Sequence, residues 1–172
     1  MGFSKWRARL PRAACAEVLR SWLTEPGSLT ARCQRVSSKF RVRVLRQGMA
    51  RPLGDESARD VFVPVREVVL ECDGVPVIFA HTTLCTAAGG RLKRWLARLG
   101  ARSLGSLLFS HPGFKRGRLE FQRLDARHPL YRRALGGKSE TPYLWARRSR
   151  HAFGEESVLV TEVFLPGIAQ LK

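Results

Sequence analysis

The strongest constraint on the fold is a pair of apolar runs that flank the tripeptide Cys72-Asp73-Gly74. The runs, at 63–71 and 75–83, are rich in valine and other residues that favour β-strands. Asp-Gly between two such runs is typical of a tight hairpin turn, because both residues tolerate positive φ angles. A second hairpin is predicted within 143–166, around Gly154-Glu155-Glu156. The sequence therefore predicts at least two antiparallel strand pairs.

Shorter patterns extend this framework to most of the chain. Residues 39–46 alternate apolar and polar side chains and predict a half-buried strand, and residues 118–124 alternate less cleanly. Residues 46–60 carry glycine, proline and charge, which predicts a loop. Apolar residues at helical spacing predict five helices, at 12–23, 28–35, 91–99, 103–109 and 128–137. We therefore predict an α+β fold, with a largely antiparallel sheet that carries its helices on one side.

Length and composition favour one domain. The chain has 172 residues, of which 44% are hydrophobic, and this is enough for a single domain over 1–172 with a sizeable core. We expect the first 12 or so residues to be flexible. No run approaches 18 apolar residues, so we expect no membrane-spanning segment.

The N-terminal residues and the cysteines bear on location. Arg7, Arg9 and Arg12 interrupt any apolar stretch near the N-terminus, which argues against a secretory signal and leaves a transit peptide as an alternative. The four cysteines form no C-x-x-C pair and have no histidine at zinc-ligand spacing. They are therefore predicted to be free thiols in a reducing cytoplasm.

The formal net charge of +17 raises the possibility of nucleic-acid binding. However, the excess is nearly all arginine and is spread along the whole chain, and no helix-turn-helix, zinc-finger or RNA-recognition motif accompanies it. We therefore expect no nucleic-acid partner. A basic surface can also attract small anionic molecules, and this interpretation stays open.

Two charged residues interrupt apolar strands and are the main candidate site residues. On a period of two, Glu162 shares a strand face with Val160 and Phe164, and Arg66 shares one with Val68. One interpretation is that the acid and the guanidinium group meet in one cavity. The alternative is that they form a buried or edge ion pair with a structural role.

Two other motifs are predicted to be structural features and not binding sites. Gly136-Gly137-Lys138-Ser139 resembles the end of a phosphate-binding loop, but Arg132 occupies the position of the required first glycine, so a turn is predicted. In the basic run at 145–150, Arg148 and Arg150 share one strand face and Arg147 points to the opposite one. A solvated basic surface is the default expectation for these arginines.

Four blocks of sequence, in order, carry a resemblance to a known family. Residues 66–76 match R-E-x-x-L-x-x-D-G-x-P, residues 28–32 match S-[ML]-T-x-R, and residues 99–109 match L-G-x-x-x-L-G-x-x-L-F. The fourth block combines W-x-R-R-S-R at 145–150 with T-E-x-F-L-P at 161–166. Together these blocks resemble chorismate lyase over nearly the whole chain. That family converts chorismate to 4-hydroxybenzoate and pyruvate.

The resemblance implies a fold and a site. The fold is an antiparallel sheet flanked by helices, with helix-turn-helix flaps over an enclosed ligand site. Arg66 falls on the residue that binds the ring carboxylate, and Glu162 on the residue that meets the 4-hydroxyl group. These two are the implied catalytic residues, and backbone amides of Leu29 and Leu104 complete the carboxylate site.

The resemblance also implies the biochemical setting. It implies a carbon–oxygen lyase without cofactor or metal that supplies 4-hydroxybenzoate for ubiquinone biosynthesis. We expect a cytoplasmic monomer that binds chorismate and is inhibited by its product. A non-catalytic effector-sensing domain of the same fold is the alternative, and a basic nucleic-acid-binding protein is a more remote one.

The chain departs from the best-known family member in three places. Residues 127–142 form an insertion, the N-terminus is more basic, and Leu29 stands where that member has methionine. We expect the insertion to alter the rim of the site. The leucine is expected to be tolerated, because the position contributes mainly its backbone amide.

Overall fold

A single antiparallel sheet organises the protein. The computed structural model describes residues 6–56, 61–85, 90–138 and 141–171. Within these ranges the sheet has seven strands in the order β1-β2-β3-β7-β6-β4, and β5 also pairs with β6. The strands are β1 (Phe40–Ala50), β2 (Val63–Cys72), β3 (Val75–Leu84), β4 (Lys115–Arg116), β5 (Glu120–Leu124), β6 (Leu144–Phe153) and β7 (Glu156–Phe164).

Both predicted hairpins are confirmed. Asp73 and Gly74 connect β2 to β3 with φ angles of 50° and 84°, the conformation that the Asp-Gly pair favours. Gly154, with φ 59°, begins the turn between β6 and β7. Pairing of β3 with β7 then joins the two hairpins in one sheet and places Ala80 opposite Glu162.

In the described parts of the chain, five helices and a final 3-10 turn flank the sheet. The helices are α1 (Glu17–Leu23), α2 (Leu29–Val36), α3 (Arg91–Ala97), α4 (Leu104–Ser110) and α5 (Pro129–Ala134), and the 3-10 turn covers Pro166–Gln170. All five predicted helices are present. The first begins later than expected, because Ala16 is extended with ψ 150° and offers no side-chain cap. Ser28 caps α2, since its hydroxyl accepts a hydrogen bond from the amide of Ala31.

The strand β1 is longer than predicted. It continues to Ala50 through residues assigned to a loop, with an irregularity in its pairing to β2 between Val44 and Arg46. The irregularity interrupts the strict alternation on which the prediction depended. Residues 57–60 of the predicted loop lie outside the described ranges.

The alternation of side chains along the strands separates two hydrophobic layers. On one face, Val68 and Phe164 pack with Trp22 and Leu29 from α1 and α2. Further along the same face, α3 and α4 pack on Leu84, Val158 and Val160 through their leucines. This face is called the site face below, because it also carries Arg66 and Glu162.

The helix α5 packs on the opposite face. Its Leu130 and Tyr131 are buried against Phe79 and Val163. The expectation that all helices share one side is therefore wrong. Since α5 lies within the 127–142 insertion, this helix also packs away from the rim of the site that the insertion was expected to alter. The predicted turn is present at Gly136 and Gly137, and Ser139 lies outside the described residues.

A buried ionic network reinforces the opposite face. His81 lies between two carboxylates, with its Nδ1 2.9 Å from Glu67 and its Nε2 3.0 Å from Glu56. Arg133 of α5 also contacts Glu67, at 2.8 Å. Burial favours the neutral imidazole, but hydrogen bonds to both carboxylates outweigh it and raise the pKa of His81. The network therefore links α5 to the sheet through Arg133, Glu67 and His81.

Three further expectations concern the N-terminus, the thiols and membrane segments. Residues 1–5 lie outside the described part of the chain, and Arg7 is docked rather than flexible, since it forms a β-bridge with Phe121. The cysteines at 15, 33, 72 and 85 are free, as predicted.

Among the described residues, no helix has the length and apolar character needed to cross a bilayer.

Candidate active site

Arg66 and Glu162 lie on the same face of the sheet but on different strands. Arg66 is opposite Thr82, and Thr82 is opposite Val160, one row away from Glu162. Strand geometry places the two backbones about 10 Å apart across the strands and about 7 Å apart along them. Their side chains project toward the same layer, so the predicted shared site is geometrically possible.

Arg66 is a buried cation that has no counter-ion in the part of the chain that the structure describes. Its side chain is in the sheet interior, with a relative exposure of 3%, and burial lowers its pKa. Its Nη2 donates to the carbonyl oxygens of Gly100, at 2.9 Å, and Arg102, at 3.0 Å. Its Nε has no hydrogen-bond acceptor among the described residues. A buried guanidinium group with free donor capacity is costly unless it serves an anion.

Glu162 is paired with Arg147 and not with Arg66. The Nε of Arg147 lies 2.6 Å from Oε2 of Glu162, directly across from it on β6. Arg147 also donates through Nη1 to the backbone oxygens of Leu23, at 3.3 Å, and Glu25, at 2.7 Å. The structural alternative of an Arg66–Glu162 ion pair is therefore wrong. Oε1 of Glu162 accepts no hydrogen bond among the described residues, so one carboxylate oxygen remains available.

The basic run at 145–150 divides between the two faces of the sheet. Arg148 points away from the site and pairs with Glu120, at 2.7 Å, and Asp55, at 2.8 Å. Arg147 points into the site with a relative exposure of only 1%. The predicted alternation is confirmed, but the expected solvated surface is wrong for Arg147. Its role depends on its register with Glu162, which no local pattern specifies.

Two helix-turn-helix segments cover the site face. The first flap comprises α1 and α2 (residues 17–36), and the second comprises α3 and α4 (residues 91–110). Leu29 and Leu104, the two residues predicted to contribute amides, are the first residues of α2 and α4, and both are buried. Amides at this position have no acceptor within their own helix, so they can serve a ligand.

The flaps contact each other directly. The hydroxyl groups of Thr30 and Ser103 lie 2.6 Å apart and connect the two helix starts. Gly105 allows this approach, because a Cβ atom there would lie 3.2 Å from Thr30 Oγ1 and 3.3 Å from Ser28 Oγ. The bonds from Arg66 to Gly100 and Arg102 hold the second flap to the sheet. The flaps are therefore closed over the site face.

The site face also carries a polar cluster that no sequence pattern predicted. Arg116 of β4 donates through Nε to Ser149 Oγ, at 3.2 Å, and through Nη1 to the carbonyl oxygen of Pro26, at 2.7 Å. His151 also contacts Ser149 Oγ, at 3.1 Å. Burial, followed by the charge of Arg116, lowers the pKa of His151 to about 4, so its imidazole is neutral near pH 7. Arg116 lies between the helix predicted at 103–109 and the strand predicted at 118–124, and its own strand is only two residues long.

Comparison with known proteins assigns the chain to a family. A sequence model of chorismate lyase matches residues 6–171. The chain belongs to the chorismate lyase family. It is similar to a "probable chorismate pyruvate-lyase" from Dechloromonas aromatica, with 64% identity over 173 residues, or 98% of each chain. A protein of the same name from Methylobacillus flagellatus is 41% identical over 168 residues, or 94% of each chain.

Solved structures support the chorismate lyase-like fold. The C-terminal domain of the histidine utilization repressor from Pseudomonas syringae pv. tomato superposes with a TM-score of 0.50. The match covers 75% of this chain and 92% of that domain, at 13% sequence identity. At this identity the likeness concerns the fold alone.

Proposed function

We propose that this protein is a lyase that eliminates pyruvate from chorismate and releases 4-hydroxybenzoate, the aromatic precursor for ubiquinone biosynthesis. Membership of the chorismate lyase family supports the reaction class. The observation that carries the proposal is that two charged side chains on the site face have unused hydrogen-bonding capacity. Among the residues that the structure describes, the buried cation Arg66 has no counter-ion, and Oε1 of Glu162 accepts no hydrogen bond.

Arg66 binds the ring carboxylate of the substrate. A planar guanidinium group can donate two parallel hydrogen bonds to a carboxylate, which fixes the plane of the ring. Its Nε is the donor without a partner among the described residues. The first amides of α2 and α4, at Leu29 and Leu104, add neutral donors from the two flaps.

Glu162 acts at the other end of the ring. Loss of the C4 hydrogen as a proton and cleavage of the C3–oxygen bond make the ring aromatic, and a proton passes to enolpyruvate to give pyruvate. A carboxylate beside the 4-hydroxyl group is placed to orient that group and to carry the proton. Arg147 is a positioning residue, because its bond to Oε2 leaves Oε1 directed to the substrate.

The test is to incubate the purified protein with chorismate in the presence of a chelator and measure both products. We expect 4-hydroxybenzoate and pyruvate in equal amounts. Arg66→Ala should mainly weaken the binding of substrate and product, whereas Glu162→Gln should mainly lower kcat, because only the acid acts where bonds change. The proposal fails if the wild-type protein forms neither product.

Product release follows from the same geometry. We propose that 4-hydroxybenzoate, held at its carboxylate by Arg66 and at its hydroxyl by Glu162 under closed flaps, leaves slowly and inhibits the enzyme. We further propose that the protein acts as a cytoplasmic monomer. Progress curves with added 4-hydroxybenzoate test the inhibition, and light scattering with the ligand present tests the oligomeric state.

A further inference from the structure

A second guanidinium group, that of Arg116, lies on the site face toward the β4 edge of the sheet. Arg116 reaches Ser149, which lies opposite Val160 on β7. Val160 is opposite Thr82, and Thr82 is opposite Arg66. Arg66, Thr82, Val160 and Ser149 therefore form one row of paired residues across four strands. Arg66 and Ser149 are at its two ends, with backbones about 14 Å apart. The two cations face the site from opposite ends of this row.

Among the described residues, Arg116 also has no carboxylate at ion-pair distance. Its acceptors, Ser149 Oγ and the carbonyl oxygen of Pro26, are neutral groups. It forms no ion pair with any described residue, and its Nη2 donates no hydrogen bond among them. The carboxylates of Glu162 and Glu25 are close enough to act on the pKa of Arg116, but Glu162 is paired with Arg147 and Glu25 lies 3.4 Å from Arg32. The cation at Arg116 is therefore held in place without being neutralised.

The charges on the site face match a dianion. Around the line of paired residues from Arg66 to Ser149, Arg66, Arg116 and Arg147 contribute three positive charges and Glu162 contributes one negative charge. Two other carboxylates of this region have their own partners, since Glu156 accepts a hydrogen bond from the amide of Leu92 and Glu25 lies 3.4 Å from Arg32. Since Glu162 is paired with Arg147, the two positive charges that remain belong to Arg66 and Arg116. Chorismate carries two carboxylates, one on the ring and one on the enolpyruvyl group. Arg66 satisfies only the first of them.

We propose that Arg116 binds the carboxylate of the enolpyruvyl group and thereby distinguishes substrate from product. This inference rests on the proposed function. The enolpyruvyl ether leaves the ring at C3, next to the C4 hydroxyl that Glu162 meets. Arg147 links Glu162 to the strand that carries Ser149, so Arg116 lies on the side of Glu162 where a C3 substituent can extend.

The consequence is a division of labour between the two arginines. Arg66 contacts a carboxylate that persists in 4-hydroxybenzoate, whereas the carboxylate at Arg116 departs with pyruvate. Loss of Arg116 should therefore weaken chorismate binding without weakening product binding. Loss of Arg66 should weaken both.

The test compares two stable ligands that differ by one carboxylate. The first is 4-hydroxybenzoate, and the second is 3-(carboxymethoxy)-4-hydroxybenzoate, which carries an ether-linked carboxylate next to the hydroxyl. Calorimetry should show that Arg116→Gln weakens the second ligand by about 10- to 100-fold, the loss of a charge-assisted hydrogen bond. The affinity for 4-hydroxybenzoate should change by less than about threefold, which also verifies that the variant is folded.

Two further variants define the effect. Arg116→Lys should recover part of the affinity, because the charge is retained but the guanidinium geometry is lost. Arg118→Gln removes the same charge from an exposed residue two positions away and should change neither affinity. With chorismate as substrate, Arg116→Gln should raise KM more than it lowers kcat.

The outcomes separate this inference from the proposed function. If wild-type protein binds both ligands and Arg116→Gln weakens both equally, or neither, Arg116 does not bind the second carboxylate. If wild-type protein does not convert chorismate, the proposed function fails. The calorimetric comparison still decides in that case whether Arg116 recognises a second carboxylate.

Discussion

The contact between Glu162 and the product hydroxyl can be tested with a thermodynamic cycle. Benzoate differs from 4-hydroxybenzoate only by the hydroxyl group, and Glu162→Gln differs from wild type only in the group that meets it. We expect wild-type protein to prefer 4-hydroxybenzoate. The preference should shrink in the variant, because a neutral amide forms a weaker bond to a phenol than a carboxylate does.

The magnitude follows from the surroundings of Glu162. A hydrogen bond to a charged group contributes about 1.5 to 3 kcal/mol. Its carboxylate is 18% exposed and already paired with Arg147, so its free oxygen can be solvated in part when the hydroxyl is missing. We therefore expect the lower half of that range in wild type, about 1.5 to 2 kcal/mol, or roughly 10- to 30-fold in Kd. The coupling energy of the cycle should be about 1 kcal/mol.

Isothermal calorimetry with both ligands and both proteins measures the four free energies of binding in the cycle. Glutamine is preferred to alanine at 162, because its side-chain oxygen can still accept the bond from the buried Arg147. Thermal unfolding of the variant provides the control for folding. Equal affinities of wild-type protein for benzoate and 4-hydroxybenzoate would remove Glu162 from the hydroxyl site and refute the proposed binding mode.

Three other substitutions test the flaps and the buried histidines. Gly105→Ala adds a Cβ 3.2 Å from Thr30 Oγ1, so the flaps should separate slightly and 4-hydroxybenzoate should dissociate severalfold faster in stopped-flow measurements; an unchanged rate would contradict the closed interface. His81→Gln removes the imidazole that contacts both Glu56 and Glu67 and should lower the unfolding free energy by about 1 to 3 kcal/mol in urea titrations, and an unchanged stability would show that the network is weak. The pKa of His151 is about 4 in the fold against 6.5 ordinarily, so protonation favours the unfolded chain and stability should fall by about 3 kcal/mol between these pH values. His151→Gln should abolish this part of the acid sensitivity, which pH-dependent unfolding curves can detect.

Local sequence information was sufficient for the hairpins and for the two anomalous charges. The Asp-Gly turn requires positive φ angles, and strand alternation alone places Arg66 and Glu162 among apolar neighbours. Both signals act over a few residues, where the physical constraints are strong. That the two charges share one face depends in addition on the register, in which Arg66 pairs with Thr82 and Thr82 with Val160.

The partners of these charges could not be predicted in the same way. The pairing of Arg147 with Glu162 depends on the register between β6 and β7, and Arg116 reaches the site from a two-residue strand. The placement of the 127–142 insertion on the opposite face depends on where Leu130 and Tyr131 find an apolar layer. These are tertiary choices, and no periodicity within the segment specifies them.

Buried charges are paired differently on the two faces of the sheet. On the opposite face, His81 lies between Glu56 and Glu67, and Arg133 completes the network, so each charge has a partner. On the site face, Arg66 is buried with no charged partner among the described residues, and its acceptors are neutral carbonyl oxygens. Because an uncompensated buried cation costs free energy, its retention has no structural benefit unless a ligand supplies the missing negative charge.

The same reasoning explains why the site needs flaps. Exposed guanidinium groups would be well solvated and would bind a carboxylate weakly, since water competes for every donor. Closure of α2 against α4, through the Thr30–Ser103 contact, removes that competition and strengthens the attraction of Arg66 for an anion. Flap closure and anion binding should therefore be coupled. A variant that loosens the flaps, such as Gly105→Ala, should lose affinity for 4-hydroxybenzoate even though it alters no group proposed to bind the ligand.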